Sequence, residues 1–221
     1  MLVSEALKAR KSVRAFLDKP VANDKIMAIM EAVRHTPSGT NTQPWQIAVV
    51  SGESKRQLDA KLLQAFTSGV EKNMDYKYYP PKLPREMQVR RIDCGMRMYE
   101  TLQITRQDTE KRLEQWGKNY SAFGAPVVLY FFLPRQVEAG SILDCGMMMQ
   151  SVMLAATELG LATCPQAALA EYPDIVREFL GAYDDSILIC GMALGYADNT
   201  APINNYLTPR EEVNQFAKFF E

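Results

Sequence analysis

The chain has 221 residues and a mass of 24.9 kDa, enough to bury one substantial core and within the range of a single domain over residues 1–221. Its 25 Lys+Arg against 26 Asp+Glu leave a net charge of -1, so there is no global positive field to hold nucleic acid or an anionic membrane. A 47% hydrophobic and 23% charged composition excludes the disordered and fibrous classes.

In chain order, residues 2–9 and 24–35 carry apolar side chains at helical spacing, and Asn23-Asp24 after Pro20 offer cap residues for the second helix. Pro, Ser, Gly, Thr and Asn dominate from Thr36 to Pro44, which predicts a loop feeding a strand at Trp45–Val50. A helix follows over about Ser54–Phe66. Residues 69–86, with Tyr76, Tyr78, Tyr79 and three prolines, break regular structure and read as a surface excursion before helical text resumes near Met87. This excursion reads either as a lid that sets substrate choice or as a plain surface or dimer-wrapping segment.

A polar helix is expected at Asp108–Lys118 and a buried strand at Val127–Leu133, where the run is short and β-rich. Gly140–Leu159 is apolar nearly all round, which predicts a helix buried on most faces, in the core or at a subunit interface, with its methionines as packing. Gly160 can cap that helix. A short strand to Pro165, a helix at Tyr172–Leu180 and a strand at Ser186–Leu194 follow, and from Asn199 the text is loop with a short amphipathic end. There is no regular βαβ rhythm and no G-x-G-x-x-G after a strand, so an α+β sheet packed by helices is expected rather than a Rossmann domain.

The single histidine, His35, stands at the end of a helical pattern and reads as a C-terminal cap; no partners near it would complete a zinc site or a Ser-His-Asp triad. Cys94, Cys145, Cys164 and Cys190 form no C-x-x-C pair, sit in apolar text and read as buried thiols. No run approaches the roughly 18 apolar residues of a membrane span, and the N-terminus lacks the pattern of a signal peptide, so a cytoplasmic protein is expected.

Three polar segments could carry chemistry. In an extended Arg10-Lys11-Ser12-Val13-Arg14, residues 10, 12 and 14 share one side, placing two guanidinium forks and a hydroxyl where a phosphate monoester could bind; alone, such a pentapeptide is more often a solvated face. Pro37-Ser-Gly-Thr-Asn-Thr-Gln-Pro-Trp45 offers Ser38, Asn41 and Gln43 around Gly39, as a ligand clamp or as a loop with good turn chemistry. Gly160–Ala168 brings small residues to a strand end, where backbone N–H groups could approach a flat ligand.

Together these segments resemble the nitroreductase family of flavoproteins. The matches are the basic segment at Arg10, Ser12 and Arg14, the P-S-x-x-N-x-Q-P-W loop from Pro37 to Trp45, Phe123-Gly-Ala-Pro126, Gly160-Leu161 with Cys164–Ala167, the Gly191–Gly195 segment and the late Arg210. The resemblance implies a nitroreductase-like fold, α+β with a central, mostly antiparallel sheet flanked by helices, in an intertwined homodimer with FMN at the interface. It implies Arg10, Ser12 and Arg210 on the phosphate side, Arg14 near the pyrimidine edge, Lys11 and Gly39 also among the cofactor-binding residues, and the loop at Pro37, Ser38 and Asn41 supplied by the partner subunit. Pro165, Gln166, Ala167 and Ala168 would lie beside the ring, with a backbone N–H toward flavin N5. Many relatives carry Glu-Gly where this chain has Ala167-Ala168, and lysine where it has Thr208.

The implied activity is ping-pong transfer of hydride from NADH or NADPH to a small aromatic or quinone-like acceptor, with no protein residue named as acid or base. Flavin reduction, ene reduction and reductive dehalogenation on the same scaffold, or FMN storage without turnover, stay open at this point.

Overall fold

The computed structural model describes residues 1–221. Helices α1 (Val3–Ala9) and α2 (Asn23–Val33) open the chain, followed by β1 (Gln46–Ser51), α3 (Gly52–Thr67), α4 (Arg85–Thr101) and α5 (Thr109–Gly117). Then come β2 (Val127–Pro134), α6 (Ala139–Glu158), β3 (Ala162–Gln166), α7 (Pro173–Leu180), β4 (Ser186–Gly195) and the short α8 (Val213–Phe216). The four strands form one sheet in the order β1-β2-β4-β3, antiparallel at every pairing.

Alternation along β2 explains the architecture. Val128, Tyr130 and Phe132 face one core with Leu58 and Leu62 of α3 and Val176 of α7, while Val127, Leu129, Phe131 and Leu133 face a second core with Ile29 of α2 and Met148 and Val152 of α6. A strand buried on both faces reads as an unbroken apolar run, which is why Val127–Leu133 was so plain in the sequence. In the single chain, Cys145, Met148, Val152 and Ala156 of α6 bury one stripe, whereas Leu143 on the outer face is 72% exposed. By length and composition α6 could cross a membrane, contrary to the expectation that no run comes close. Its inner stripe instead packs on the sheet, and its Asp144 is tied to the 37–45 loop.

The 69–86 excursion is pinned where the sheet ends. β3 pairs only with the Gly191–Gly195 half of β4, and a bulge at Ile189 interrupts the β2–β4 register. Just beyond β3, Asp75 accepts the Leu188 N–H at 2.8 Å and Tyr76 donates to the Ile189 carbonyl at 2.7 Å, so the excursion covers polar backbone that an edge would leave open. Asp75 also pairs with Arg177 at 2.7 Å, both side chains being more than nine-tenths buried. Burial alone would lower the Arg177 guanidinium, but hydrogen bonds from it to Asp75 and Asp174 reverse the direction and raise it.

His35 lies exposed just past the end of α2, its N–H on the Ala32 carbonyl at 3.5 Å. Cys145, Cys164 and Cys190 are buried free thiols, as expected; Cys94, on α4, is only half-buried.

Candidate active site

Residues 10–14 run beside β3 like an added strand. Ser12 bridges Thr163 in parallel, and the Val13 N–H donates to the Thr163 carbonyl at 3.0 Å. This sets the expected alternation: Val13 is buried, while Arg10, Ser12 and Arg14 all act on Cys164. Burial pushes that thiol up to about 11, partly offset by Arg14, Ser12 and Arg10. Lys11, expected among the cofactor-binding residues, points to the opposite side as the alternation implies, its Nζ donating to the Asn204 carbonyl.

Arg14 is held from below. Its backbone N–H donates to Asn204 Oδ1 at 2.8 Å and its Nη1 to the Tyr206 hydroxyl at 2.8 Å, while Asn204 Nδ2 is itself fixed on the Ala15 and Asp198 carbonyls. Sequence reading missed both Asn204 and Tyr206, because nothing in the local text of residues 204–206 marks a partner some 190 positions away.

Arg210 curls its Nη1 onto the Thr208 hydroxyl at 2.7 Å and onto the Thr208 and Pro209 carbonyls. Thr208, where many relatives carry lysine, thus supplies an acceptor to the arginine. Burial first, and then the charge of Arg210, lower Arg10, so two guanidinium groups converge. Arg10 pairs with no carboxylate in the chain; two like charges without a counter-ion make a place for an anion.

The cleft itself has a volume of about 300 Å³. Arg14 and Cys164–Ala168 form one wall; Tyr78 and Tyr79 of the excursion, Met98 and Tyr99 of α4, and Trp116 stand across from them. Gln166 is fixed by its Nε2, which donates to the Asn119 carbonyl at 3.0 Å and to Asn119 Oδ1 at 3.2 Å. Behind this wall the Leu169 side chain packs directly on the backbone of Gly191 in β4, where an added Cβ would stand 2.5 Å from Leu169 Cβ. Glu171 closes the floor, accepting the Tyr120 hydroxyl and pairing with Lys72 at 3.0 Å. Burial, then Glu171, push the Tyr120 phenol well above its usual value, so it stays a neutral donor.

The Pro37–Asn41 segment does not line this cleft. Its Gly39 N–H sits between the two Asp144 oxygens at 3.2 Å each, Ser38 Oγ accepts the Gln43 N–H at 2.9 Å, and Thr40, Asn41 and Gln43 all take positive φ. A loop so constrained presents Asn41 from a fixed frame on the exposed surface.

The profile of the Nitroreductase family matches residues 7–196. A 4-nitrobenzoate reductase of Pseudomonas putida is 37% identical over 211 residues, covering 96% of this chain and 92% of that protein. The nitroreductase NfnB of Mycolicibacterium smegmatis is 36% identical over 213 residues, covering 96% and 90%. Among solved structures, the FMN and NADPH-dependent nitroreductase NfnB from Sphigopyxis sp. strain HMH superposes with a TM-score of 0.96 at 38% identity, covering 100% of both chains. The FMN-dependent NfnB from Mycobacterium smegmatis, solved in complex with NADPH, gives a TM-score of 0.95 at 35% identity, covering 99% of this chain and 98% of that one. With a profile that spans most of the sequence and relatives matched end to end, this chain belongs to the nitroreductase family.

Proposed function

We propose that the chain is an FMN-dependent oxidoreductase that takes hydride from NADH or NADPH and passes electrons to nitroaromatic, quinone or related flat acceptors; the relatives matched end to end are named as nitroreductases. The observation that carries this reading is the meeting of uncompensated Arg10 and Arg210 with an aromatic-walled cleft whose opposite wall is the small-residue end of β3. The residues fit FMN: guanidinium forks suit its phosphate, and the Pro165–Ala168 wall admits a flat ring. When bound, FMN supplies a two-electron carrier that accepts and donates hydride.

Arg10, Ser12 and Arg210 hold the phosphate in this reading. Lys11 serves from behind, through the same Asn204 that positions Arg14. Arg14 offers a fixed positive charge at the cleft, which stabilises an anionic reduced ring; about 1.4 kcal/mol of such stabilisation corresponds to roughly 30 mV for a two-electron couple. Pro165, Gln166, Ala167 and Ala168 orient the ring, and Tyr78, Tyr79, Tyr99 and Trp116 exclude water and stack flat acceptors. No side chain here is assigned as a proton donor to the acceptor.

The working unit we propose is a homodimer of one FMN-binding domain per chain. Pro37, Ser38, Gly39 and Asn41 then reach the partner's cofactor, and the exposed apolar face of α6 forms the seam. Four free cysteines suit a reducing, cytoplasmic setting.

The test is an absorbance spectrum of purified protein near 370 and 450 nm, the approximate flavin bands, followed by anaerobic NADH or NADPH. Bleaching of a yellow protein supports the reading. A yellow protein bleached by neither nucleotide points to FMN storage, and a protein that stays colourless after incubation with FMN overturns the assignment.

A further inference from the structure

Arg14 is the one cation that lines the cleft, and every group that holds it is neutral. Its backbone N–H donates to Asn204 Oδ1 at 2.8 Å, and its Nη1 donates to the Tyr206 hydroxyl at 2.8 Å and to the Ser12 carbonyl at 3.3 Å. Nε and Nη2 donate to nothing within the chain. The carboxylate of the same cleft, Glu171, is taken by Lys72 at 3.0 Å. Tyr206 itself stands outside the cleft wall, with its ring centroid 5.8 Å from the Arg14 guanidinium carbon. Burial raises the Tyr206 phenol above its usual value, against the opposing charge of Arg14, so it stays a neutral acceptor.

We propose that Tyr206 is a positioning residue that sets the reduction potential of the bound flavin, by holding Arg14 with its charge uncancelled and its Nε–Nη2 edge free for the cleft. The inference rests on the reading that FMN occupies this cleft with Arg14 beside its ring. An arginine held by a carboxylate would exert little field on the ring, because the two charges oppose each other. An arginine held by nothing would spread over its rotamers and be hydrated. A phenol and an amide avoid both losses: they fix the guanidinium fork and leave its full positive charge. A charge fixed in advance acts most on the form of the ligand that carries more negative charge, which is the reduced ring. It therefore changes the ratio of reduced to oxidised affinity rather than both affinities alike. Asn204 fixes the backbone of Arg14 and Tyr206 its head, so loss of the Tyr206 hydroxyl releases the guanidinium while the backbone stays held.

The experiment compares the FMN-loaded wild type with Tyr206→Phe, Arg14→Gln and the double variant. It reads the two-electron midpoint potential by equilibration against a reference dye, and the Kd of oxidised FMN by titration of the FMN-free proteins. Tyr206→Phe keeps the ring and removes only the hydroxyl. The ratio of reduced to oxidised FMN affinity should fall about tenfold, a potential about 30 mV more negative, with the affinity for oxidised FMN little changed. Arg14→Gln should lower the ratio at least as far, and adding Tyr206→Phe to it should change nothing more. A wild-type potential in Tyr206→Phe overturns the proposal. So does an equal weakening of both forms, which would make Tyr206 a structural support alone, and so does the same fall with and without Arg14. Failure of the underlying reading looks different: the wild-type protein would bind no FMN, or Arg14→Gln would leave the potential in place.

Discussion

In β2 seven of eight residues are buried, whereas in α4 none of seventeen is, although α4 too carries apolar side chains among its charged ones. β2 lies mid-sheet with a core on each face. α4 leaves Met87, Val89, Ile92 and Met96 in solvent at its outer end, while its inner end supplies Met98 and Tyr99 to the cleft. The contrast separates a part of the chain that completes its own core from a part that leaves apolar side chains in solvent. Because the unfinished part also walls the cleft, assembly and cofactor retention should be coupled.

The two parts are stitched at Asp75, and cutting there should produce the largest effect. Asp75→Ala leaves Arg177 buried with the exposed Asp174 as its one carboxylate beside the Ser186 carbonyl, and should lower stability by about 3–5 kcal/mol in denaturant unfolding while loosening the tyrosines at the cleft. A loss under about 1 kcal/mol would mean the excursion is not anchored as described. Arg10→Ala or Arg210→Ala should each weaken FMN binding by about 1.5–3 kcal/mol, read by equilibrium titration of apoprotein, without shifting the unfolding midpoint of the FMN-free chain. Affinity unchanged in both variants would remove the phosphate assignment.

Within the self-sufficient part, Gly191→Ala should destabilise by about 1–3 kcal/mol, because its Cβ would meet Leu169 Cβ and Cδ1, both at 2.5 Å. Leu143→Glu tests the proposed seam along α6. It should leave the unfolding of isolated chains unaltered yet raise the dimer dissociation constant at least tenfold, or about 1.4 kcal/mol, in sedimentation, and lower FMN occupancy with it. Dimerisation unaffected by this charge would move the seam elsewhere.

The smallest effect is a pH dependence. Hydrogen bonding from Arg177 holds the Asp174 carboxyl below its usual value, against a small opposing effect of burial and with help from Asn73. A depressed carboxyl stabilises the fold above its unfolded value and loses that contribution as pH falls through its folded value. Asp174→Asn should therefore narrow the stability difference between pH 7 and pH 3 by under about 1 kcal/mol, the side chain being largely exposed. An equal difference in both proteins would refute the coupling.

The sequence by itself determined the elements whose signals are local. Periodicity and β-branched runs located every strand and every long helix within a few residues, because burial on one or two faces writes a period into the text. Alternation likewise determined which of residues 10–14 share a side. The three polar segments were legible through their order along the chain, and with them the family.

Tertiary structure decided what depends on distant partners. Asp75 read as one acid in a Tyr- and Pro-rich stretch until Arg177 and the open edge of β4 stood beside it. Asn204 and Tyr206 became the supports of Arg14 only when the chain returned after some 190 residues, and Asp144 became the anchor of the Gly39 loop only across α6. The apolar text of α6 could not say which stripe faces the core, since a helix apolar all round carries no moment to orient it.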